Sequence, residues 1–332
     1  MKRTMTKQLP PVIFLMGATA TGKTGLAIEL AEQFLVDIIS VDSAMVYRGM
    51  DIGSAKPEAE VLAQAAHALV DIRDPEAAYS AANFCTDALK LMQKSWAAKR
   101  IPLLVGGTTL YFKALEYGLS PLPDADPLIR KAIDAKAEQL GWPALHAQLQ
   151  QLDPEAAARI KVNDRQRIQR ALEVCEITGV SMTSLQQIKP PGLQANILKL
   201  VLTVSNRRIL HQRIETRFEQ MLAAGLLDEI KALMARPGVE KNSTAMRSVG
   251  YRQGWEYLEA QHAGECEDVL FPQFRHAVIS ATRQLAKRQL TGLRQMPLCL
   301  WYDCSQEDRC SQEEGSSSHV IKDVERFLEI SN

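Results

Sequence analysis

The stretch Val12-Ile-Phe-Leu-Met-Gly-Ala-Thr-Ala-Thr-Gly-Lys-Thr24 decides the fold of this chain. Its first five residues form a short apolar run, which is typical of a strand buried in a parallel sheet. Residues 17–24 then match the pattern G-x-x-x-x-G-K-[ST], and apolar residues at helical spacing follow as far as Phe34. A strand, a glycine-containing loop and a helix in this order predict a phosphate-binding loop. We call residues 17–24 the glycine loop.

The glycine loop has the residue types that bind phosphate. Glycines allow consecutive backbone N–H groups to surround an anion at a helix N-terminus, where the helix dipole favours negative charge. An ammonium at Lys23 neutralises phosphate, and the hydroxyl of Thr24 is a ligand for Mg²⁺. We predict a site for a diphosphate or triphosphate, not specifically ATP, formed by Gly17, Ala18, Thr19, Ala20, Thr21, Gly22, Lys23 and Thr24.

Strand and helix patterns alternate around the glycine loop. Strands are predicted at residues 36–41, 68–71 and 101–105, and helices at residues 24–34 and 81–100. This alternation is typical of an α/β fold, a doubly wound parallel sheet like that of the P-loop NTPases.

Beyond Tyr117 only helical patterns occur until about Pro191, after which strand patterns return. Helices are predicted at residues 127–140, 143–151, 154–160, 164–178, 207–224, 226–235 and 272–290, and strands at 197–204 and 298–302. We therefore predict a discontinuous α/β core (11–121 and 196–302), an inserted all-helical domain (122–195) and a partly flexible acidic tail (303–332).

Composition is that of a soluble globular protein, with 46% hydrophobic and 23% charged residues among 332. No apolar run approaches the roughly 18 residues needed to span a bilayer. The six cysteines are thinly spread, which suits reduced thiols. We expect a cytoplasmic protein with no membrane contact. The formal net charge is zero, but residues 303–332 are acidic, so the rest of the chain is net positive.

Asp42 is the acidic residue at the edge of the predicted sheet where ligands bind. It follows the second strand, whereas the fourth strand ends in Gly106-Gly-Thr-Thr109, without a carboxylate. Ligands bind beyond the carboxyl ends of parallel strands. Three roles for Asp42 fit this position equally well: a Mg²⁺ ligand, a general base, or a capping residue.

Several further strings occur together in one order. They are Asp42-Ser-Ala-Met-Val-Tyr47, Gly53-Ser-Ala-Lys-Pro57, His67-Ala-Leu-Val-Asp71, Gly106-Gly-Thr-Thr-Leu-Tyr111, Gln166-Arg-Ile-Gln-Arg170 and Arg247-Ser-Val-Gly-Tyr-Arg-Gln253. In these strings the chain resembles the tRNA dimethylallyltransferases, the isopentenyltransferases that modify the adenosine immediately 3′ of certain anticodons. The resemblance runs from about Val12 to Tyr302.

The resemblance implies a reaction and a set of roles. The dimethylallyl group moves from dimethylallyl diphosphate to N6 of that adenosine, and diphosphate is released. The glycine loop and Arg217 hold the diphosphate, with Mg²⁺ at Thr24. The catalytic residues are Asp42, which faces the adenine amine, and Thr108, which contacts the leaving group. The enzyme is expected to be a monomer.

The resemblance also implies which residues contact the tRNA anticodon stem-loop. They are Asp42, Ser43, Ala44, Met45, Thr108, Arg130, Gln166, Arg167, Ile168, Gln169, Arg170, Arg247, Ser248, Val249, Gly250, Tyr251 and Arg252. Arg283, Lys287 and Arg288 form a similar basic cluster on the predicted helix 272–290. For any single arginine in such strings, an ion pair on a solvated helix face is the commoner outcome.

Two departures and two alternatives accompany this interpretation. Many members of the family have Gln where this chain has Met45, and a second His where it has Ala68. The first alternative function is a P-loop small-molecule kinase, which would share the glycine loop and a helical insertion. The second is an RNA-binding regulator that uses a nucleotide only as a switch.

Overall fold

The computed structural model describes residues 9–188, 190–305 and 316–331. Its centre is one parallel sheet of six strands in the order β3-β2-β4-β1-β5-β6. The strands are β1 Pro11–Gly17, β2 Val36–Val41, β3 His67–Ala68, β4 Ile101–Gly106, β5 Asn196–Thr203 and β6 Cys299–Asp303. The predicted α/β fold is confirmed, because these strands alternate with helices along the chain.

Fourteen helices are assigned within the described residues. They are α1 Lys23–Gln33, α2 Ala59–Gln64, α3 Ala81–Ala97, α4 Thr109–Tyr117, α5 Pro127–Leu140, α6 Trp142–Leu152, α7 Pro154–Arg159, α8 Arg165–Thr178, α9 Met182–Gln187, α10 Arg207–Ala223, α11 Leu226–Met234, α12 Tyr251–His262, α13 Glu267–Leu293 and α14 Ser316–Ser331. None of them is long and apolar enough to cross a membrane.

Strand β1 is buried on both faces at the middle of the sheet. Ile13 and Leu15 belong to the core cluster that α1 and α10 cover, whereas the ring of Phe14 packs against Phe112 of α4 with 5.1 Å between centroids. Alternate residues of a strand point to opposite faces, so the continuous apolar run fills two layers. The parallel neighbours β4 and β2 end level with β1, with Gly106 paired to both Met16 and Val41.

The predicted strand at residues 68–71 is wrong in extent. Only His67–Ala68 pair with β2, because Leu69 and Asp71 have φ angles of 64° and 54° that turn the chain away. The backbone N–H of Asp71 then donates to the carbonyl of Met45 (3.1 Å). This turn therefore supports the segment that follows Asp42.

Helix α13 begins at Glu267, five residues before the predicted start at Pro272. Proline is favoured at the first position of a helix. Here it lies in the second turn, where it removes one intrahelical hydrogen bond without ending the helix. Five helices have no counterpart among the predicted ones: α2, α4, α9, α12 and α14.

The chain divides into two compact units, Met1–Lys113 with Gln194–Asn332, and Ala114–Leu193. The second unit contains α5 to α9 and has its own apolar core, which includes Ile133, Leu149 and Ile168. Its boundary falls within α4, eight residues before the predicted one, because the end of α4 belongs to the helical unit.

The predicted acidic tail is ordered where the structure describes it. Ser316–Ser331 form α14, and Val320 and Val324 are fully buried in the core cluster of the sheet. This helix was not among the predicted elements; apolar residues four apart give it a packing face. Residues 306–315 lie outside the described part of the chain.

Candidate functional site

The glycine loop turns sharply between β1 and α1. Ala20 and Gly22 have φ angles of 62° and 88°, a conformation that glycine adopts freely and alanine adopts at a cost. The carbonyl of Ala18 accepts hydrogen bonds from Thr21 Oγ1 (2.9 Å) and Lys23 Nζ (2.6 Å). Lys23 therefore lies across its own loop, as expected if its ammonium faces the centre of an anion site.

Arg217 of α10 lies beside the glycine loop. Its Nη1 donates to Thr19 Oγ1 at 3.3 Å. Burial, and then repulsion by Arg217, lower the pKa of Lys23 to about 8, against a smaller opposing effect of Asp42. Burial also lowers the pKa of Arg217, again against Asp42. Two cations held close to one loop indicate a site for a multiply charged anion.

Asp42 follows β2 at the same end of the sheet. Its Oδ1 accepts the backbone N–H groups of Ala44 (2.8 Å) and Met45 (3.2 Å). Asp42 is thus a capping residue, the third of the roles left open. Its Oδ2 accepts no hydrogen bond from the residues that the structure describes, so the cap leaves one carboxylate oxygen for a substrate or a metal ion.

Thr108 lies directly after β4, where the chain passes close to β2. Its backbone N–H donates to the carbonyl of Val41 at 3.3 Å. A Cβ atom on Gly106 would stand 2.1 Å from that carbonyl oxygen, so no other residue fits. The glycines therefore let Thr108 approach the strand end that carries Asp42.

The structure adds one residue that the sequence analysis missed. Gln289 of α13 accepts the backbone N–H of Thr19 on its Oε1 at 3.0 Å. Its Nε2 lies against Gly107, where an added Cβ would come within 2.4 Å. Gln289 is 270 positions from Thr19, and a glutamine on an amphipathic helix has no spacing signal that would have identified it.

In the helical unit, Arg130 and Arg170 serve an internal ion cluster. Both donate to the fully buried Glu173, Arg130 through Nε (2.8 Å) and Nη2 (3.1 Å), and Arg170 through Nη1 (2.6 Å). Burial alone would raise the pKa of Glu173, but these hydrogen bonds outweigh it and lower the pKa. Their guanidinium groups compensate a buried carboxylate, and the tRNA contacts expected of Arg130 and Arg170 stay predictions.

The other residues predicted on α8 divide by exposure. Ile168 is fully buried in the core of the helical unit, so its side chain is not a tRNA contact. Gln169 donates to Asp134 at 2.7 Å. Gln166 and Arg167 are exposed, and Asp164, three residues earlier, is the one described residue that forms an ion pair with Arg167. Gln166 and Arg167 therefore remain accessible to a ligand.

The segment Arg247–Arg252 divides in the same way. The fully buried Tyr251 donates its hydroxyl hydrogen to Glu229 (2.7 Å) and accepts the N–H of Ser54 (3.1 Å). A Cβ on Gly53 would lie 2.6 Å from the tyrosine ring. Tyr251 thus supports the loop around Gly53, and its predicted tRNA contact is corrected.

The rest of this segment lies around the start of α12. Gly250 is buried, Ser248 and Val249 are half-buried, and Arg247 and Arg252 are exposed. Neither arginine forms an ion pair with a described residue. Among the six predicted residues, the two arginines are therefore the accessible ones.

Comparison with known proteins identifies the family of the chain. A family model described as IPP transferase matches residues 45–296. The chain belongs to the IPP transferase family. This IPP transferase is 31% identical to the full-length tRNA isopentenylpyrophosphate transferase of Bacillus halodurans, with a TM-score of 0.67 and 97% of each chain covered. The predicted family and its class of enzyme are confirmed, and the kinase alternative is not favoured.

Two further solved structures resemble this IPP transferase. The tRNA isopentenylpyrophosphate transferase of Staphylococcus epidermidis is 29% identical, with a TM-score of 0.65 and coverage of 97% of this chain and 100% of that one. A eukaryotic dimethylallyltransferase acting on tRNA is 24% identical, with a TM-score of 0.76 and coverage of 96% and 80%. At that identity the likeness shows a shared fold.

Proposed function

We propose that this chain transfers the dimethylallyl group from dimethylallyl diphosphate to N6 of the adenosine immediately 3′ of the anticodon in tRNA, releasing diphosphate. One observation carries the proposal beyond family membership. Lys23 of the glycine loop and Arg217 beside it lie at the same sheet edge as Asp42, whereas β4, the strand between β1 and β2, ends in Gly-Gly-Thr. This combination provides a site for a leaving diphosphate and an acceptor for a proton.

In the reaction, the C1–O bond of the allylic diphosphate breaks and a C1–N6 bond forms. The adenine amine is a weak nucleophile because its lone pair is delocalised into the ring. The free oxygen of Asp42 accepts the N6 proton, and the other oxygen keeps its backbone hydrogen bonds and so holds the carboxylate in place. Thr108 contributes a hydroxyl toward the bridging oxygen of the leaving group.

The leaving diphosphate gains negative charge as the allylic carbon becomes positive. Backbone N–H groups of the glycine loop, Lys23 and Arg217 are oriented before the reaction, so they stabilise this charge without reorganising. The target adenine must leave its stack at a cost of a few kcal/mol, which is smaller in an anticodon loop than in a duplex.

A Mg²⁺ ion at Thr24 is part of the proposal. Mg²⁺ keeps several waters and takes few protein ligands beside substrate phosphates. The Thr24 side chain is half-buried at the first turn of α1 and makes no hydrogen bond to a described residue, so its hydroxyl suits that small donor set. When bound, the ion would neutralise charge on the diphosphate.

Exposed cations and amides supply the surface for tRNA. The helical unit offers Gln166 and Arg167, and the sheet-containing unit offers Arg247 and Arg252. The latter also offers Lys287 and Arg288, which are exposed on α13 beside a groove of about 460 Å³. Neither Lys287 nor Arg288 forms an ion pair with a described acidic residue. Free cations of this kind bind the phosphate backbone. We also expect a cytoplasmic monomer.

The test is incubation of the purified protein with labelled dimethylallyl diphosphate and bulk tRNA, followed by digestion and nucleoside analysis. Label in N6-modified adenosine supports the transferase. A parallel reaction with ATP and no tRNA tests the kinase. Hydrolysis of ATP with no label in RNA would overturn the proposal. Lys23→Ala serves as the control, because loss of the loop cation abolishes either phosphate chemistry and excludes a contaminating enzyme.

A further inference from the structure

Gln289 of α13 contacts two parts of the site that are far from it in sequence. Its Oε1 accepts the N–H of Thr19 in the glycine loop at 3.0 Å. Its Nε2 lies against Gly107, directly before Thr108, and a Cβ on Gly107 would also come within 3.2 Å of the Gly17 carbonyl. The amide of one side chain therefore contacts the ends of both β1 and β4.

Thr19 is held from two helices at once. Its N–H is bound by Gln289 of α13, and its hydroxyl oxygen accepts Arg217 Nη1 of α10 at 3.3 Å. Thr19 is the structural link between the glutamine and the arginine. A displacement of Thr19 would change where the Arg217 guanidinium lies.

The backbone of α13 is fixed on either side of Gln289. Ala286 and Leu293 are buried, and Leu290 packs against the core of the sheet. The neighbouring Lys287 and Arg288 point away and are exposed. The helix therefore holds its glutamine toward the loop while its cations face solvent.

We infer that Gln289 is a positioning residue that sets the geometry of the diphosphate site through Thr19 and Arg217. This inference rests on the proposed function, because it assigns the residues that orient the site for the leaving group. Gln289 itself need not touch the diphosphate. Its hydrogen bond replaces water at a loop amide, so the loop is held in one conformation before the ligand arrives.

The variant Gln289→Met keeps the length and shape of the side chain and removes both hydrogen-bonding groups. We expect Kd for inorganic diphosphate, measured by calorimetry without tRNA, to rise about fivefold, as for one lost hydrogen bond. In turnover assays, KM for dimethylallyl diphosphate should rise similarly, whereas KM for tRNA stays unchanged. A purely structural role would move both Michaelis constants.

The matched control is Gln284→Met on the same helix. Gln284 is exposed and makes no side-chain hydrogen bond to a described residue, so this variant should retain the wild-type Kd for diphosphate. A wild-type Kd for Gln289→Met overturns the inference. So does an equal rise in both Gln variants.

A double-mutant cycle that combines Gln289→Met with Thr19→Val tests whether Gln289 acts on Arg217 through Thr19. Valine keeps the shape of threonine and removes only the hydroxyl that Arg217 contacts. If Gln289 acts through Thr19, the two changes are non-additive in Kd for diphosphate; additive effects overturn this path. Failure of the wild type to label tRNA would reject the proposed function, while the diphosphate Kd values would still decide the role of Gln289.

Discussion

The environment of Lys23 disfavours the protonated form of its side chain. Burial and the neighbouring Arg217 lower the pKa of Lys23 to about 8, well below the ordinary lysine value. A bound diphosphate favours the protonated ammonium and raises that pKa again. Binding is therefore coupled to protonation of Lys23 in the alkaline range.

We predict that affinity for the diphosphate falls as the pH rises through about 8. Below that pH the free protein already carries the charge. Above it, binding must first take up a proton, which weakens affinity by up to about tenfold per pH unit. The measurement is KM for dimethylallyl diphosphate from about pH 6.5 to about pH 10, which lie near the ordinary pKa values of histidine and lysine. In the Lys23→Arg variant KM should no longer rise at alkaline pH, because arginine stays protonated. If KM of this variant rises as in the wild type, the pH dependence comes from another titratable group.

The two carboxylate oxygens of Asp42 have separate roles. One oxygen caps the backbone at Ala44 and Met45, and the other is available to a substrate. Asparagine can still accept the backbone hydrogen bonds with its amide oxygen, but it cannot accept a proton from the substrate. Alanine loses both.

We predict that Asp42→Asn lowers kcat by about 10²- to 10⁴-fold, as expected when a general base is removed, while tRNA binding and thermal stability stay near wild type. Asp42→Ala should lose the same activity and also some stability, about 1 kcal/mol for the lost hydrogen bonds to the turn backbone. Single-turnover transfer and thermal unfolding measure the two effects. Wild-type turnover from Asp42→Asn would exclude the proton-acceptor role.

At the scale of the element, α8 carries arginines with different functions. Arg170 points to the buried Glu173, together with Arg130 from α5. Arg167 is 74% exposed, and among the described residues its one ion pair is with Asp164, the N-cap residue of the same helix. A surface pair of this kind contributes about 0–1 kcal/mol to stability, so Arg167 is available to a phosphate.

We predict that Arg167→Ala weakens tRNA binding and makes log Kd less dependent on log salt, with a slope smaller by about one contact. The protein should remain as stable as wild type. Filter binding at several salt concentrations provides the slope. An identical slope would remove Arg167 from the tRNA surface.

Arg130→Ala is the contrasting variant. It leaves the buried Glu173 with one fewer partner and should destabilise the helical unit by about 1–3 kcal/mol. Because the folded pKa of Glu173 is lowered, the stability from this cluster is present above the unfolded pKa of about 4.3 and is lost as pH falls through the folded value. Denaturant unfolding at neutral and acidic pH checks the difference between variant and wild type, which should shrink in acid.

At the scale of the whole molecule, the last helix completes the core. Val320 and Val324 of α14 lie in the same cluster as Ile13 and Leu15 of β1. Tyr302 at the edge strand donates its hydroxyl hydrogen to Asp323 of α14 at 2.6 Å. The end of the chain thus covers the β5–β6 side of the sheet.

We predict that Val324→Ala destabilises the protein by about 1–3 kcal/mol, because it removes buried methyl groups and leaves a cavity. Guanidinium unfolding measures the loss. Glu325→Ala, one position along the same helix and exposed, should stay within about 0.5 kcal/mol of wild type. Equal stabilities of the two variants would mean that α14 does not pack on the core in solution.

The sequence by itself determined the glycine loop, five of the six strands, the helical insertion and the family. These features are local, or repeat with the period of a strand or a helix, so spacing along the chain reports spacing in the molecule. The positions of Asp42 and Thr108 followed from the same rule, because parallel strands end at one edge.

Only the tertiary structure decided how the remaining side chains are used. Arg130 and Arg170 donate to the buried Glu173, and the Tyr251 hydroxyl donates to Glu229, pairings that no spacing in the sequence indicates. Gln289 reaches Thr19 across 270 positions. Whether a polar side chain faces solvent or a partner depends on which elements pack against it, and that packing is a property of the whole fold.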